Sequence, residues 1–335
     1  MTSARRLLAG QLHFVSRRCT QRLLLLTPTQ PVNQVVRYAL AAVAPRYQVR
    51  ICAVLASSNH VHLVLEDFNS ELAQFMQDFD QLIARALNSH YKRGENFWSQ
   101  PDSYSNQELK TPEEALAKLV YLFVNPTADG LVEHPDLWPG LLTRPEDMGV
   151  LHSVEPRPER AFFGGKRPAD YEPTYEPGRQ SWSKRKRRPP EPNRAAHRER
   201  PSTLPEVAAF DVHVPTLLAD MPQQALHRLL RERVEARVAQ IRDERAAEGK
   251  PFMGRDRVIR RDPKQPAGEA WPDFAMDPRL PGREDAPPER KAELTGWRAA
   301  YREAYDLWRT GNRRVVFPVG TYAMRVFHAA LVAPT

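Results

Sequence analysis

Cysteine is nearly missing from this sequence: Cys19 and Cys52 are the only two in 335 residues. Two cysteines cannot build a disulfide framework, and neither has a second Cys or a His at metal-ligand spacing. Buried structural thiols in a reducing cytoplasm are the expectation. Long apolar runs are missing as well. Nothing approaches the roughly 18 residues of a membrane span, and the Leu23–Leu26 run is only four residues long. Arg5 and Arg6 precede no extended apolar core or small-residue cleavage site, so no secretion signal is expected. Acid is absent from residues 1–65, which hold eight Arg; the first acid is Glu66.

What is present is base and proline. The net charge is +8, with 31 Pro and a mean hydropathy of −0.59. The 41% apolar content suffices for one solid core and leaves room for a second domain. Part of the chain should be extended or disordered. Residues 1–150 are almost balanced, with 14 basic and 15 acidic residues, so the excess sits in residues 151–335. Such a balance suits a polyanion such as nucleic acid, or reflects an arginine-rich genome.

The first 150 residues carry folded-domain periodicity. Gln11 to Ser16 reads as a strand, with Leu12 and Phe14 on one side and His13 and Val15 on the other. Asn33 to Ala44 reads as a helix, and Val49 to Ala56 as a second strand rich in β-branched residues. Ser57 to Asn59 turns into a third strand, His60 to Leu65. Ser70 to Tyr91 is an amphipathic helix built on Leu72, Phe75, Met76, Phe79, Leu82, Ile83, Ala86 and Leu87. Asn96 to Tyr104 is the stretch left for a last strand or a loop. The order β-α-β-β-α-β predicts an α+β, ferredoxin-like split β-α-β antiparallel sheet. One further helix, Thr111 to about Val124, is appended.

His60-Val61-His62 lies on the third strand, so both imidazoles share a face with Val64. Two such rings can chelate one divalent ion, or they are two unrelated half-buried histidines. In the appended helix, Thr111-Pro112-Glu113-Glu114 is a capping-box start. Leu116, Leu119, Val120 and Phe123 form its apolar stripe. Tyr121 falls roughly 150° from that stripe at helical periodicity, with Asn125 beside it. Tyr121 is therefore not an obvious core residue. Pro126 should end the helix at Asn125.

Asn59-His60-Val61-His62-Leu63-Val64-Leu65, the helix after it, Tyr121-Leu122-Phe123-Val124-Asn125-Pro126 and Gly130-Leu131-Val132 together resemble the HUH-superfamily single-tyrosine transposases, most of all the REP-associated tyrosine transposases. The resemblance covers roughly residues 8–140. It implies that His60 and His62 hold a divalent metal, Mg²⁺ or Mn²⁺, that Asn125 matches a third ligand position, and that Tyr121 is the nucleophile. Relatives outside this subgroup carry Gln at the Asn125 position. Phe97-Trp98 resembles an aromatic pair that precedes the family's last strand. The resemblance also implies single-stranded, often hairpin, DNA as partner. Arg17, Arg18 and Arg22, beside the first strand, are the phosphate contacts to test, or ordinary surface arginines. Trp98 and Tyr104 either stack unpaired bases or belong to the core.

The expected organisation is a catalytic domain over 1–150, a Pro/Arg-rich linker over 151–221 and a helical, partly disordered extension over 222–335. The run Lys184 to Arg188 is a solvated linker or a basic arm. Pro222 to Ala247 reads as a helix with Leu226, Leu229, Leu230, Val234, Val238 and Ile241 on one stripe. That stripe packs within the chain or joins two copies, so monomer and homodimer both stand. Residues 249–286 are Pro-rich and aperiodic. Pro288 to Thr310 reads as a helix whose Trp297, Tyr301, Tyr305 and Trp308 form a packing face, and Val315 to Pro318 is a short apolar stretch. The functional expectation is a transposase that cleaves and rejoins single-stranded DNA through a 5′-phosphotyrosine. The alternatives are a hairpin-binding protein without catalysis, and a replication-initiator or relaxase-like nickase.

Overall fold

The computed structural model describes residues 5–99, 104–158, 204–267 and 288–334. Four antiparallel strands form the central sheet: β1 (Gln11–Arg18), β2 (Val49–Ala56), β3 (His60–Asp67) and β4 (Ser105–Leu109), in the order β2-β3-β1-β4. With α1 (Gln30–Val43) after β1 and α2 (Leu72–His90) after β3, this is the split β-α-β arrangement expected from the sequence. The Ser57–Asn59 turn closes the β2–β3 hairpin, with the Ser57 N–H donating to the His60 carbonyl at 2.9 Å.

Pairing register decides what each face presents. Phe14 pairs with Val64, Ser16 with His62 and Arg18 with His60, so these six residues share one face. Val15, Arg17, Val61, Leu63 and Leu65 turn to the opposite face, toward α1 and α2. There the eight apolar residues of the α2 stripe are all buried. Asp67, at the end of β3, caps α2: its carboxylate accepts from the backbone N–H groups of Asn69, Glu71 and Leu72.

The last strand lies further along the chain than its sequence suggests. Residues 97–99 bond to the end of β1, through Thr20 N–H to the Phe97 carbonyl and Ser99 N–H to the Arg18 carbonyl. The paired strand itself is Ser105–Leu109. Ser105, Asn106, Gln107 and Glu108 show no apolar alternation. Residues 105–108 are only half-buried, so neither face of this strand carries a buried apolar set for alternation to mark.

The other face of the sheet is covered by α3 (Pro112–Ala128), which is backed in turn by α4 (Gln223–Ala247). The start of α3 is as expected: the Glu114 N–H donates to Thr111 Oγ1 at 3.2 Å, and Glu114 Oε2 accepts from the Lys110 N–H at 2.7 Å. Its end is not. The helix runs through Pro126 to Ala128 instead of stopping at Asn125. Proline removes one helical hydrogen bond, but here it sits in the last turn. Leu122, Phe123, Pro126 and Thr127 are all buried, and this packing holds the turn closed.

The stripe Leu226, Leu230, Val234, Val238 and Ile241 of α4 is buried against α3 within the chain. The expected linker is structured where it is described: β5 (His152–Pro156) pairs with β6 (Val207–Asp211), and both pack on α1. The basic run 184–188 lies outside the described residues. A short helix, α5 (Arg255–Arg260), interrupts the Pro-rich stretch after α4. The helix α6 (Pro288–Arg309) follows, then β7 (Val316–Phe317), α7 (Tyr322–His328) and β8 (Leu331–Val332). Trp297, Tyr301 and Tyr305 stack successively along α6, and Tyr301 and Trp308 pack on Phe317, so this aromatic series is a packing face. Arg290 of α6 pairs with Glu114 at 2.8 Å and tethers the extension to the start of α3. No described helix is long and apolar enough to cross a membrane.

Candidate active site

The β3 histidines and the α3 tyrosine meet on one face of the sheet. The His60 and His62 rings lie 4.5 Å apart between centroids. Tyr121 approaches His62 at 5.6 Å and Phe14 at 5.8 Å, edge-on in both cases. Phe14 in turn stacks on His62 at 5.1 Å, so an apolar ring holds the imidazole in place. Tyr121 is 46% exposed although it touches these buried groups. A side chain open to solvent on one side and set against His62 and Phe14 on the other is accessible to a large substrate.

Burial lowers the His60 pKa from 6.5 to about 4, aided by the Arg18 charge and opposed by Asn125. Burial also lowers the His62 pKa well below its usual value, with His60, Arg18 and Lys118 adding to the effect. Both rings are neutral at pH 7, the form that ligates metals. Asn59 Oδ1 lies 2.7 Å from His60 Nδ1. If that nitrogen carries the proton, Nε2 keeps a free lone pair. Burial, then the Asp129 charge, raise the Tyr121 pKa, while Arg18 and Asn125 oppose the rise. The phenol is therefore protonated at neutral pH.

Asn125 stands one turn past Tyr121, within hydrogen-bonding reach of His60 and of the phenol. It is buried, and its Oδ1 has no hydrogen bond of good geometry; His62 Nδ1 is likewise buried without a partner. Two neutral imidazoles and one under-used amide oxygen form a donor set that fits a divalent ion. The nitrogen donors suit Mn²⁺ better than Mg²⁺. Among the described residues no cluster of three His, Cys, Asp or Glu is available to hold a metal. An ion here would need its remaining ligands from substrate and water.

The three expected arginines separate. Arg18, at the end of β1 opposite His60, is exposed and acts electrostatically on His60, His62, Tyr121 and Asp129. Arg22 sits in the following loop, where it and Gln21 adopt left-handed backbone with φ of 58° and 48°. Arg17 does not reach the site. Strand alternation turns it to the other face, where it is 7% exposed and pairs with Asp80 of α2 at 2.8 Å. Trp98 and Tyr104 are core residues, at 6% and 8% exposure, and the Trp98 indole N–H donates to the Asp80 carbonyl.

Two groups escaped the sequence reading. The Lys118 ammonium lies 5.5 Å from the Tyr121 ring and 5.2 Å from Phe14. Asp129 is solvent-exposed at its rim, yet protein packed around it raises its carboxyl, with Arg18 opposing the rise. Helical spacing was the available signal: Lys118, Tyr121, Asn125 and Asp129 follow steps of three, four and four.

Residues 9–112 match the family model described as "Transposase IS200 like". Among solved structures, the chain is similar to a REP-associated tyrosine transposase bound to a REP hairpin, at 19% identity and a TM-score of 0.35, covering 42% of this chain and 81% of that one. It is also similar to a putative transposase from Deinococcus radiodurans R1, at 18% identity and a TM-score of 0.27, covering 35% and 93%. No curated protein matches.

Proposed function

We propose that this chain, with an IS200-like transposase segment at residues 9–112, cleaves and rejoins single-stranded DNA through Tyr121. The observation that carries the reading is the contact of the exposed Tyr121 with the buried His62, beside His60, on one face of the sheet. Residues 113–335 lie beyond that matched segment and supply Tyr121 itself.

The chemistry follows from what each group can do. A phenol is a weak nucleophile at pH 7, and a phosphodiester repels attack because it is anionic. His60, His62 and Asn125 would hold a divalent ion, which supplies charge neutralisation and orientation at the phosphate when bound. Arg18 and Lys118 bring positive charge to the same side and attract the phosphodiester. The Asn125 amide orients the Tyr121 hydroxyl. Tyr121 Oη forms a bond to phosphorus as the bond from phosphorus to the 3′-side oxygen breaks. The phenol gives up its proton and the leaving oxygen gains one, so the products are a 5′-phosphotyrosine and a free 3′-OH. The covalent link keeps the cleaved end for rejoining.

Hairpin DNA is the substrate that the sequence resemblance implies. The test is incubation of the full chain with a labelled single-stranded hairpin oligonucleotide and Mn²⁺ or Mg²⁺. A denaturation-resistant protein–DNA adduct that is absent from Tyr121→Phe supports the reading. Binding without adduct in either metal would leave a hairpin-binding protein in its place.

A further inference from the structure

The segment from Lys250 to Ala267 is tied to the catalytic module at both ends by backbone hydrogen bonds. At its start, Met253 and Gly254 N–H groups donate to the carbonyls of Gly130 and Leu131, each at 2.9 Å. At its end, the Leu24 N–H donates to the Gln265 carbonyl at 3.1 Å, and the Ala267 N–H to the Arg22 carbonyl at 2.9 Å. Gly130 directly follows Asp129, and Arg22 lies four residues beyond Arg18. Both anchors therefore adjoin residues that act electrostatically on Tyr121. Between the anchors α5 is pinned by Val258, which is fully buried.

The segment is basic and open. It holds six cations (Lys250, Arg255, Arg257, Arg260, Arg261 and Lys264) against the two acids Asp256 and Asp262. Arg255, Arg257, Arg260 and Lys264 are exposed, and none forms an ion pair with another described residue. Asp256 stands four residues before Arg260, the one oppositely charged pair at helical spacing within α5. Arg255 lines a cavity with Arg37, Glu155 and the start of α1, and the strap ends beside Arg22 through the Ala267 N–H. The strap also supports a backbone that is costly to hold alone: Gln21 and Arg22 are both left-handed, at about 1–2 kcal/mol per non-glycine residue. Its position is therefore set by backbone bonds and one buried side chain, and its cations are presented on a fixed support.

We infer that this strap is a phosphate-binding rail that holds the DNA strand flanking the scissile phosphate, through Arg255, Arg257, Arg260 and Lys264. The inference rests on the DNA-cleaving reading above and adds to it the surface that grips the flank. Rigid presentation matters because ordering four long side chains on a mobile loop would oppose binding.

The test uses the full chain and a fluorescent hairpin oligonucleotide with a single-stranded flank, with binding followed by anisotropy across a salt series. The variant R255A/R257A/R260A/K264A is expected to bind at least tenfold more weakly at low salt. Its slope of log affinity against log salt should fall by about 3, since each of the four lost phosphate contacts removes about 0.7–0.9. Its thermal midpoint should stay at the wild-type value because all four side chains are exposed. The charge-keeping variant R255K/R257K/R260K should retain most of the slope. Unchanged affinity and slope in the alanine variant, with DNA binding by the wild type intact, would overturn the rail and leave the cleavage reading standing. Loss of the slope in the lysine variant would also overturn it, because the residues would then act through structure. A wild-type chain that binds no DNA would overturn both.

Discussion

The Tyr121 ring meets the His62 ring edge-on at 73°, and both belong to the same chain. The proposed nucleophile and its imidazole neighbour therefore face each other without a second subunit. The expected consequence concerns mixing. Tyr121→Phe and His62→Ala should each abolish adduct formation on hairpin DNA, and a mixture of the two should stay inactive. Recovery of adduct in the mixture would show that Tyr121 works on another copy's histidines.

Arg17 and Arg18 are neighbours in sequence with opposite duties. Arg17→Ala leaves the buried Asp80 carboxylate without its ion-pair partner, and about 3–5 kcal/mol of stability should be lost. Arg18→Ala removes an exposed charge and should leave the denaturation midpoint within about 0.5 kcal/mol of wild type. Its effect should fall on adduct yield. Urea melts and adduct gels on both variants separate the two roles, and a stability loss in Arg18→Ala would contradict the assignment.

His13 makes stability depend on pH. It is fully buried, and burial lowers its pKa from 6.5 to about 4, offset in part by Asn106. The folded state binds the proton less well than the unfolded state. The contribution is thus fully present above pH 6.5 and is lost as pH falls toward 4. A shift of this size corresponds to about 3 kcal/mol as an order of magnitude. Urea melts at pH 7.5 and pH 5 should show wild type weakening in acid, and His13→Phe should weaken less. An equal acid loss in both would remove His13 as a cause.

Leu230 is fully buried between α4 and α3. Truncation to Ala should lower stability by about 2–4 kcal/mol. Because the contact lies within the chain, the loss should not depend on protein concentration. A midpoint that rises with concentration would return the α4 stripe to a dimer interface.

Much of the site was legible from local pattern. A strand forces residues 60 and 62 to one face, and a helix started by Thr111 and Pro112 turns Tyr121 off its apolar stripe. Both follow from backbone geometry alone. The misread parts depend on distant partners. The polar strand Ser105–Leu109 is recognisable only through its pairing with β1, and α3 continues past Pro126 because buried neighbours hold its last turn. Lys118 and Asp129 read as ordinary surface charges until the sheet is set beneath α3. Arg17 looked equivalent to Arg18 because both are arginines at a strand end.

By itself, then, the sequence determined the element order, the shared face of the two histidines, the start of the tyrosine helix and the basic character of the chain. Those are consequences of period, capping and charge, which act over a few residues. Only the tertiary structure decided that Tyr121 reaches His62 in the same chain, that Arg17 is buried against Asp80, and that residues 250–267 return to the Arg22 loop. Strand pairing and helix packing bring together residues tens to hundreds of positions apart, and no local periodicity encodes which of them will meet.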